Sequence, residues 1–248
     1  MPRLKAFGLS DIGMVRQNNE DEWVALPELG LFALADGMGG HKAGDVAAQE
    51  AIRSLCSFVR EIDTSDCVEL IIELRHAIEK TNQKIFSMGQ SHERYSGMGT
   101  TLCCVVWKES ALIYAHVGDS RIYRCRGGKL EQLTRDHSLF AKWLETGKLA
   151  EECETPFPYK NVITRAIGTG KRANPEIAIT THVQGDFYIL CSDGLTDVLT
   201  AEEMERIIAH SPDLQELAKR LIERAKIKGG CDNMTVLMVQ EDGENLPR

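Results

Sequence analysis

The chain alternates short apolar runs with longer amphipathic stretches, and the period of each predicts its element. LGLFALAD (29–36), TTLCCVVW (100–107), ALIYAHVG (111–118), SRIYRCR (120–126), DFYILCSD (186–193) and NMTVLMVQ (233–240) are short, β-rich and bounded by Gly or Asp. They read as strands. Between 43 and 88 the period changes. Ile52, Leu55, Cys56, Val59 and Ile62 recur at three- and four-residue spacing, as do Ile71, Leu74, Ile78 and Ile85. Two amphipathic helices are predicted there. Residues 201–210 and 213–227 give two more, the second ending at Gly229-Gly230.

Strands 100–107, 111–118 and 120–126 lie too close together for helical crossovers, so an antiparallel meander is expected. Helix pairs before and after the strand blocks would then cover the outer faces. That favours an α+β layered sandwich over an alternating, doubly wound sheet. Residues 138–162 break the rhythm with one short helical pattern and a Pro-containing irregular stretch, an excursion that reads equally as a lid or as a long surface loop. No linker, repeat or low-complexity segment divides the 248 residues, so one domain over 1–248 is expected.

Four aspartates fall where apolar runs stop: Asp36, Asp119, Asp193 and Asp232. Each alone fits an Asx-turn or a helix cap. Four hydrophobic segments that each deliver one Asp to a Gly-flanked loop suggest a shared carboxylate site. Bare carboxylates so gathered would take up protons, so the cluster needs cations. Oxygen-only ligation suits Mg²⁺ or Mn²⁺ rather than zinc. Nearby in the N-terminal segment SDIGMVRQNNEDEW, Arg16, Glu20 and Asp21 form a charged turn. Beside a carboxylate–metal cluster, the planar guanidinium of Arg16 is the natural clamp for a phosphate dianion, and Glu20 could hold a metal-bound water.

Charge and cysteine content narrow the setting. Lys+Arg 29 against Asp+Glu 37 leaves a net charge of −8, which argues against a nucleic-acid partner. No apolar run approaches the ~20 residues that span a bilayer, and the N-terminus lacks a signal-peptide core, so a soluble, cytoplasmic protein without a membrane partner is expected. The eight cysteines include no C-x-x-C pair and several lie inside apolar runs, which reads as reduced core residues. None begins a C-x5-R arrangement, so no cysteine nucleophile of that kind is expected. The glycines after 36 do not make a nucleotide loop: Lys42 stands where a dinucleotide fingerprint needs Gly, and Gly168-Thr169-Gly170-Lys171 is followed by Arg172 where a P-loop needs a hydroxyl. Glycine here lets backbone approach an ion, with the Gly37 carbonyl free to ligate it.

The ordered set Ser10-Asp11-x-Gly13-x-x-Arg16-x-x-x-Glu20-Asp21, Ala35-Asp36-Gly37-Met38-Gly39-Gly40-His41, Gly99-Thr100-Thr101, Val117-Gly118-Asp119-Ser120-Arg121, Asp136-His137-Ser138, Ser192-Asp193-Gly194-Leu195 and Asp232-Asn233-x-Thr235 resembles the metal-dependent PP2C (PPM) family of Ser/Thr protein phosphatases, bacterial type. The match runs from about residue 3 to 241. The resemblance implies a four-layer α-β-β-α sandwich, two mostly antiparallel sheets flanked by helix pairs, with a metal centre in a cleft at one end. It implies that Asp36 bridges two metals, that Asp193 and Asp232 complete the first and the Gly37 carbonyl serves the second. Glu20 would act through water, Arg16 would bind substrate phosphate, and Asp119 with Asp193 would hold a weaker third ion. The 138–162 excursion would be the flap.

The implied reaction is hydrolysis of phosphoserine and phosphothreonine in proteins by a water held between two Mn²⁺ or Mg²⁺ ions, with no phosphoenzyme. Targets of a cognate Ser/Thr kinase are the expected partners, and a monomer is the expected state. Met38 stands where eukaryotic relatives carry the His proposed to protonate the leaving group. His41, three residues on, is one candidate for that acid and metal-bound water the other. Two rival readings are a catalytically silent phosphoprotein-binding relative, against which no ligand Asp is missing, and a two-metal phosphodiesterase or nuclease, against which the acidic balance speaks.

Overall fold

The structure, a computed structural model, describes residues 3–39, 43–108, 111–147, 162–243 and 246. Its strands and helices follow in the order β1 (Leu4–Asp11), β2 (Asp21–Leu26), β3 (Leu31–Met38), α1 (Ala43–Arg60), α2 (Cys67–Ser91), β4 (Gly99–Thr100), β5 (Leu102–Lys108), β6 (Ala111–Val117), β7 (Arg121–Arg126), β8 (Lys129–Gln132), α3 (Leu139–Glu145), β9 (Glu176–Thr181), β10 (Phe187–Cys191), α4 (Asp193–Thr196), α5 (Ala201–Ala209), α6 (Leu214–Ile227) and β11 (Met234–Glu241). Two antiparallel sheets result. One has the order β1-β11-β10-β7-β8, and the other β2-β3-β5-β6-β9 with β4 paired to β3. Among the described residues no helix is long and apolar enough to cross a membrane.

Strand period explains the layers. Along β5, Leu102, Cys104 and Val106 pack in one apolar cluster with Leu55 and Ile78 of the first helix pair. The alternate Cys103, Val105 and Trp107 pack in another with Tyr188, Leu190 and Leu237 of the facing sheet. Successive side chains of a strand point to opposite faces, so a run apolar on both faces must be covered twice. β11 divides likewise: Leu237 and Val239 face the other sheet, and Val236 and Met238 join Leu217 and Leu221 of α6. Helices, sheet, sheet and helices therefore stack in four layers, the arrangement that the resemblance implies.

The expected meander breaks at its third strand. β5 and β6 form an antiparallel pair, but β7 leaves them and pairs with β10 and β8 in the other sheet. The turn Gly118-Asp119-Ser120 makes that crossing, with Gly118 at φ +106 and a Cβ there 2.7 Å from Thr101 Cβ, so only glycine fits. Short spacing rules out a helical crossover but not a strand that changes sheets, as sandwich corners require. Asp119 is thereby delivered to the edge between the sheets. Asp36 is a second departure: it lies inside β3, not after it.

Candidate metal and active site

Five carboxylates meet at one end of the sandwich, and the backbone explains how. Asp21 opens β2 and sits directly opposite Asp36 in β3. Asp193 is the first residue of α4, just past the end of β10, and Asp232 precedes β11. Asp119 lies in the inter-sheet turn. Asp36 is held through its backbone: its N–H donates to Thr101 Oγ1 at 2.9 Å, and its carbonyl accepts from Thr101 N–H at 2.8 Å and Thr100 Oγ1 at 2.9 Å. Thr101 Oγ1 also meets Ser120 Oγ at 2.7 Å, which ties the Asp119 turn to the Asp36 strand.

Asp21 is buried and held from two sides. Ser192 Oγ donates to its Oδ2 at 2.8 Å and Thr235 Oγ1 at 2.6 Å, while Oδ1 is buried without a partner. The sequence placed Asp21 in a charged turn and gave it no role. Cross-strand pairing with Asp36 is the signal that would have found it, because a residue opposite a buried strand Asp shares its environment.

Burial and mutual repulsion set the protonation of this group. Asp36 is pushed well above the usual carboxylate range by burial and then by the charges of Asp21, Asp193, Asp119 and Asp232. Burial, with Asp193 and Asp136 nearby, pushes Asp119 up to about 7, and its Oδ1 is buried without a partner. Asp21 is pushed up to about 7, first by burial. Asp193 rises to about 6 through burial and the charges of Asp197 and Asp232, tempered by a hydrogen bond with Asp36. Carboxylates so placed hold protons unless cations neutralise them. The donor set is all oxygen, with two buried oxygens unpartnered, and it fits hard divalent ions.

Arg16 and Glu20 stand at the mouth. Arg16 Nη2 bonds Asp232 Oδ2 at 2.7 Å with half of the Arg16 side chain exposed. Asn233 clamps the segment: its Oδ1 accepts from Glu20 N–H at 2.9 Å, and its Nδ2 donates to the carbonyls of Ile12 at 3.0 Å and Asn18 at 2.9 Å. The Glu20 carboxylate is half-buried and raised, chiefly by burial, against the relief given by Arg16. Gly37 packs so tightly that an added Cβ would lie 2.1 Å from Gly44 O. His41 and most of the 138–162 excursion, residues 148–161, lie outside the described residues. The described part of the excursion begins with α3, capped by Ser138, and closes where Ser138 bridges Ile163.

A second cluster meets a distance test for a metal but fails on chemistry. His116, His137 and Glu176 each offer a ligand atom within 4.8 Å of the others, the one such trio among the described residues. His137 Nδ1 accepts from Gly118 N–H at 3.1 Å, which leaves the ring proton to Nε2, and Nε2 faces Glu176 Oε1 and Arg165 Nη1, each at 3.1 Å. The His137 lone pair is already used. The rings of His116 and His137 stack at 4.5 Å and 22°, so their in-plane lone pairs do not converge. The trio braces the Asp119 turn.

Seven cysteines are described and free, and Cys231 beside Asp232 is exposed, unlike the core residue expected of it. Cys153 lies outside the described residues. Burial pushes Cys191 up to about 12 and Cys103 well above the ordinary thiol value, which makes both poor nucleophiles.

Known proteins place the sequence and the fold in one class. The sequence matches the protein phosphatase 2C profile over residues 13–229. It is 39% identical over 246 residues to protein phosphatase PhpP of Streptococcus pneumoniae, covering 95% of this chain and 98% of that one. It is 37% identical over 237 residues to serine/threonine phosphatase stp of Listeria monocytogenes, covering 94% of each. The solved serine/threonine phosphatase of S. agalactiae superposes with a TM-score of 0.90 at 37% identity, over 96% of this chain and all of that one. The catalytic domain of PstP in complex with two manganese ions gives 0.84 at 35% identity, over 96% and 97%. The chain belongs to the protein phosphatase 2C family of metal-dependent serine/threonine phosphatases.

Proposed function

We propose that this chain hydrolyses phosphoserine and phosphothreonine in proteins, with Asp36, Asp193 and Asp232 as the core metal ligands. The observation that carries the reading is the meeting of these carboxylates with Asp21 and Asp119 at one sandwich end, under Arg16. Asp36 would bridge two Mn²⁺ or Mg²⁺ ions, and the Gly37 carbonyl and Glu20, through water, would serve the second. Asp119 and Asp193 line a small cavity of about 50 Å³ and would hold a weaker third. When bound, the ions supply Lewis-acid charge and lower the pKa of a water. Arg16, fixed by Asp232 and the Asn233 clamp, orients the phosphate and offsets charge on its non-bridging oxygens. Ser192 and Thr235 hold Asp21 behind Asp36, so the carboxylate geometry is set before substrate arrives.

The three apolar layers share strands, which supports one catalytic domain across 1–248. The buried free cysteines fit a reducing cytoplasm. A Ser/Thr kinase of the same cell is the natural opponent, and a monomer is the simplest state. The test is release of phosphate from a phosphothreonine peptide. It should require manganese, stop with EDTA, and fall more than about 100-fold in Asp193→Asn, since even outer-sphere partners of metal ligands cost 10–100-fold. Undiminished activity in EDTA would refute the assignment.

A further inference from the structure

The net charge of −8 makes a cluster of unpaired cations unusual on this surface. One occurs where α2 meets the segment leading into β9. Arg75, Lys171 and Arg172 line an open cavity of about 530 Å³ with Glu79 as its one carboxylate. Lys171 and Arg172 are exposed, and among the described residues neither has a carboxylate partner.

The cavity wall is built rather than loose. Side chains one helical turn apart on α2 pin the 168–175 segment. Arg75 Nη1 donates to Pro175 O at 2.9 Å. Glu79 accepts from the N–H groups of Ala173 at 3.1 Å and Asn174 at 2.9 Å. Asn82 accepts from Gly168 N–H at 2.8 Å and donates to Gly170 O at 3.0 Å. Asn174 is held at φ +50, the one non-glycine residue with positive φ among the described residues. Glu79 spends both oxygens on backbone, so the cations keep their capacity for an outside anion. Fixing the segment in advance removes ordering cost from any ligand that binds it.

The segment is also anchored to the catalytic end. Ile167 and Thr100 exchange backbone hydrogen bonds at 3.0 and 2.8 Å, and Thr100 Oγ1 bonds the Asp36 carbonyl. Lys171 is four residues on from Ile167, at most about 14 Å of chain, and two strand-pair steps of about 5 Å each lead from Ile167 to Asp36, which puts the backbone of the cationic segment within roughly 25 Å of Asp36. An extended peptide covers that span in about seven residues.

We propose that this cavity is a docking site for a carboxylate-rich stretch of the phosphoprotein substrate, within about seven residues of the phosphorylated one. The proposal rests on the phosphatase reading above. Guanidinium and ammonium groups without a carboxylate partner recognise carboxylates directly, and the distance makes the effect one of position as well as charge.

The experiment compares phosphothreonine peptides that are neutral, that carry three Glu directly beside the phosphoresidue, or that carry them five residues away on either side. The wild type should show a lower KM for one of the distal peptides than for the neutral one. Lys171→Glu should raise that KM about three- to tenfold, the effect of reversing one or two exposed charge contacts, with kcat and the neutral peptide unchanged. Lys219→Glu on α6 makes the same change in net charge elsewhere and should leave the distal preference intact. Equal KM for distal and neutral peptides, or an equal loss in Lys219→Glu, would overturn the docking site while leaving the phosphatase reading in place. Failure to hydrolyse any peptide would overturn both.

Discussion

Asp21 and Asp36 face each other across two strands, an arrangement that costs stability for like charges unless something neutralises them. Asp21→Asn keeps an acceptor for Ser192 and Thr235 but removes one charge. In EDTA its melting temperature should rise by about 2–4 °C, as removal of ~1 kcal/mol of repulsion implies for a chain of this size. The manganese concentration for half-maximal activity should rise about tenfold. A lower melting temperature in EDTA would show that repulsion is not the governing term. His137 gives a separate pH signature. Burial and the neighbouring His116 push it down from 6.5 to about 4. The folded state then binds fewer protons than the unfolded one, so this contribution is full above pH 6.5 and is lost as pH falls towards 4. His137→Asn, which keeps an acceptor for Gly118 N–H, should lose less stability than wild type between pH 6.5 and 4 in thermal melts; identical slopes would count against it. Asp36, Asp193 and Asp232 were legible in sequence because each punctuates an apolar run. Asp21 was not, because its role arises from strand register.

At the scale of elements, the most informative feature is the turn that carries β6 of one sheet into β7 of the other. Gly118→Ala would force a Cβ against Thr101 at a positive φ, and Thr101 in turn holds the Asp36 backbone. Backbone strain of this kind costs about 1–3 kcal/mol, so the melting temperature should drop by roughly 2–12 °C. Phosphatase activity should fall with it, and a variant with unchanged melting would show that the turn is not so constrained. The strands that sequence revealed are those buried on both faces. β9, with Ile179 48% exposed, and β8 lie at sheet edges, where solvent on one side weakens the apolar pattern. β1 and β2 are the opposite edges, half-exposed along most of their length, and their apolar pattern is weakened in the same way. The helix pairs were read within a few residues because their 3.6-residue stripes each cover a sheet.

Over the whole molecule, two sheets packed face to face leave their strand ends as a rim, and the chain places Asp21, Asp36, Asp119, Asp193 and Asp232 on one part of it. Segments distant in sequence reach that rim independently: β2 and β3, the β6–β7 turn, the end of β10 and the start of β11. Local patterns reveal such convergence poorly, which is why the fold class was legible from layered helices and strands while the exact company of carboxylates was not. Ordered motifs supplied by family resemblance carried the rest. Catalysis by this chain requires those carboxylates to take up divalent ions. Anomalous scattering at the manganese edge from crystals soaked in Mn²⁺ tests it most directly. Two strong peaks should appear within ligand distance of Asp36, with Asp193 and Asp232 on one of them. Peaks at His116 and His137 instead, or none near Asp36, would contradict it.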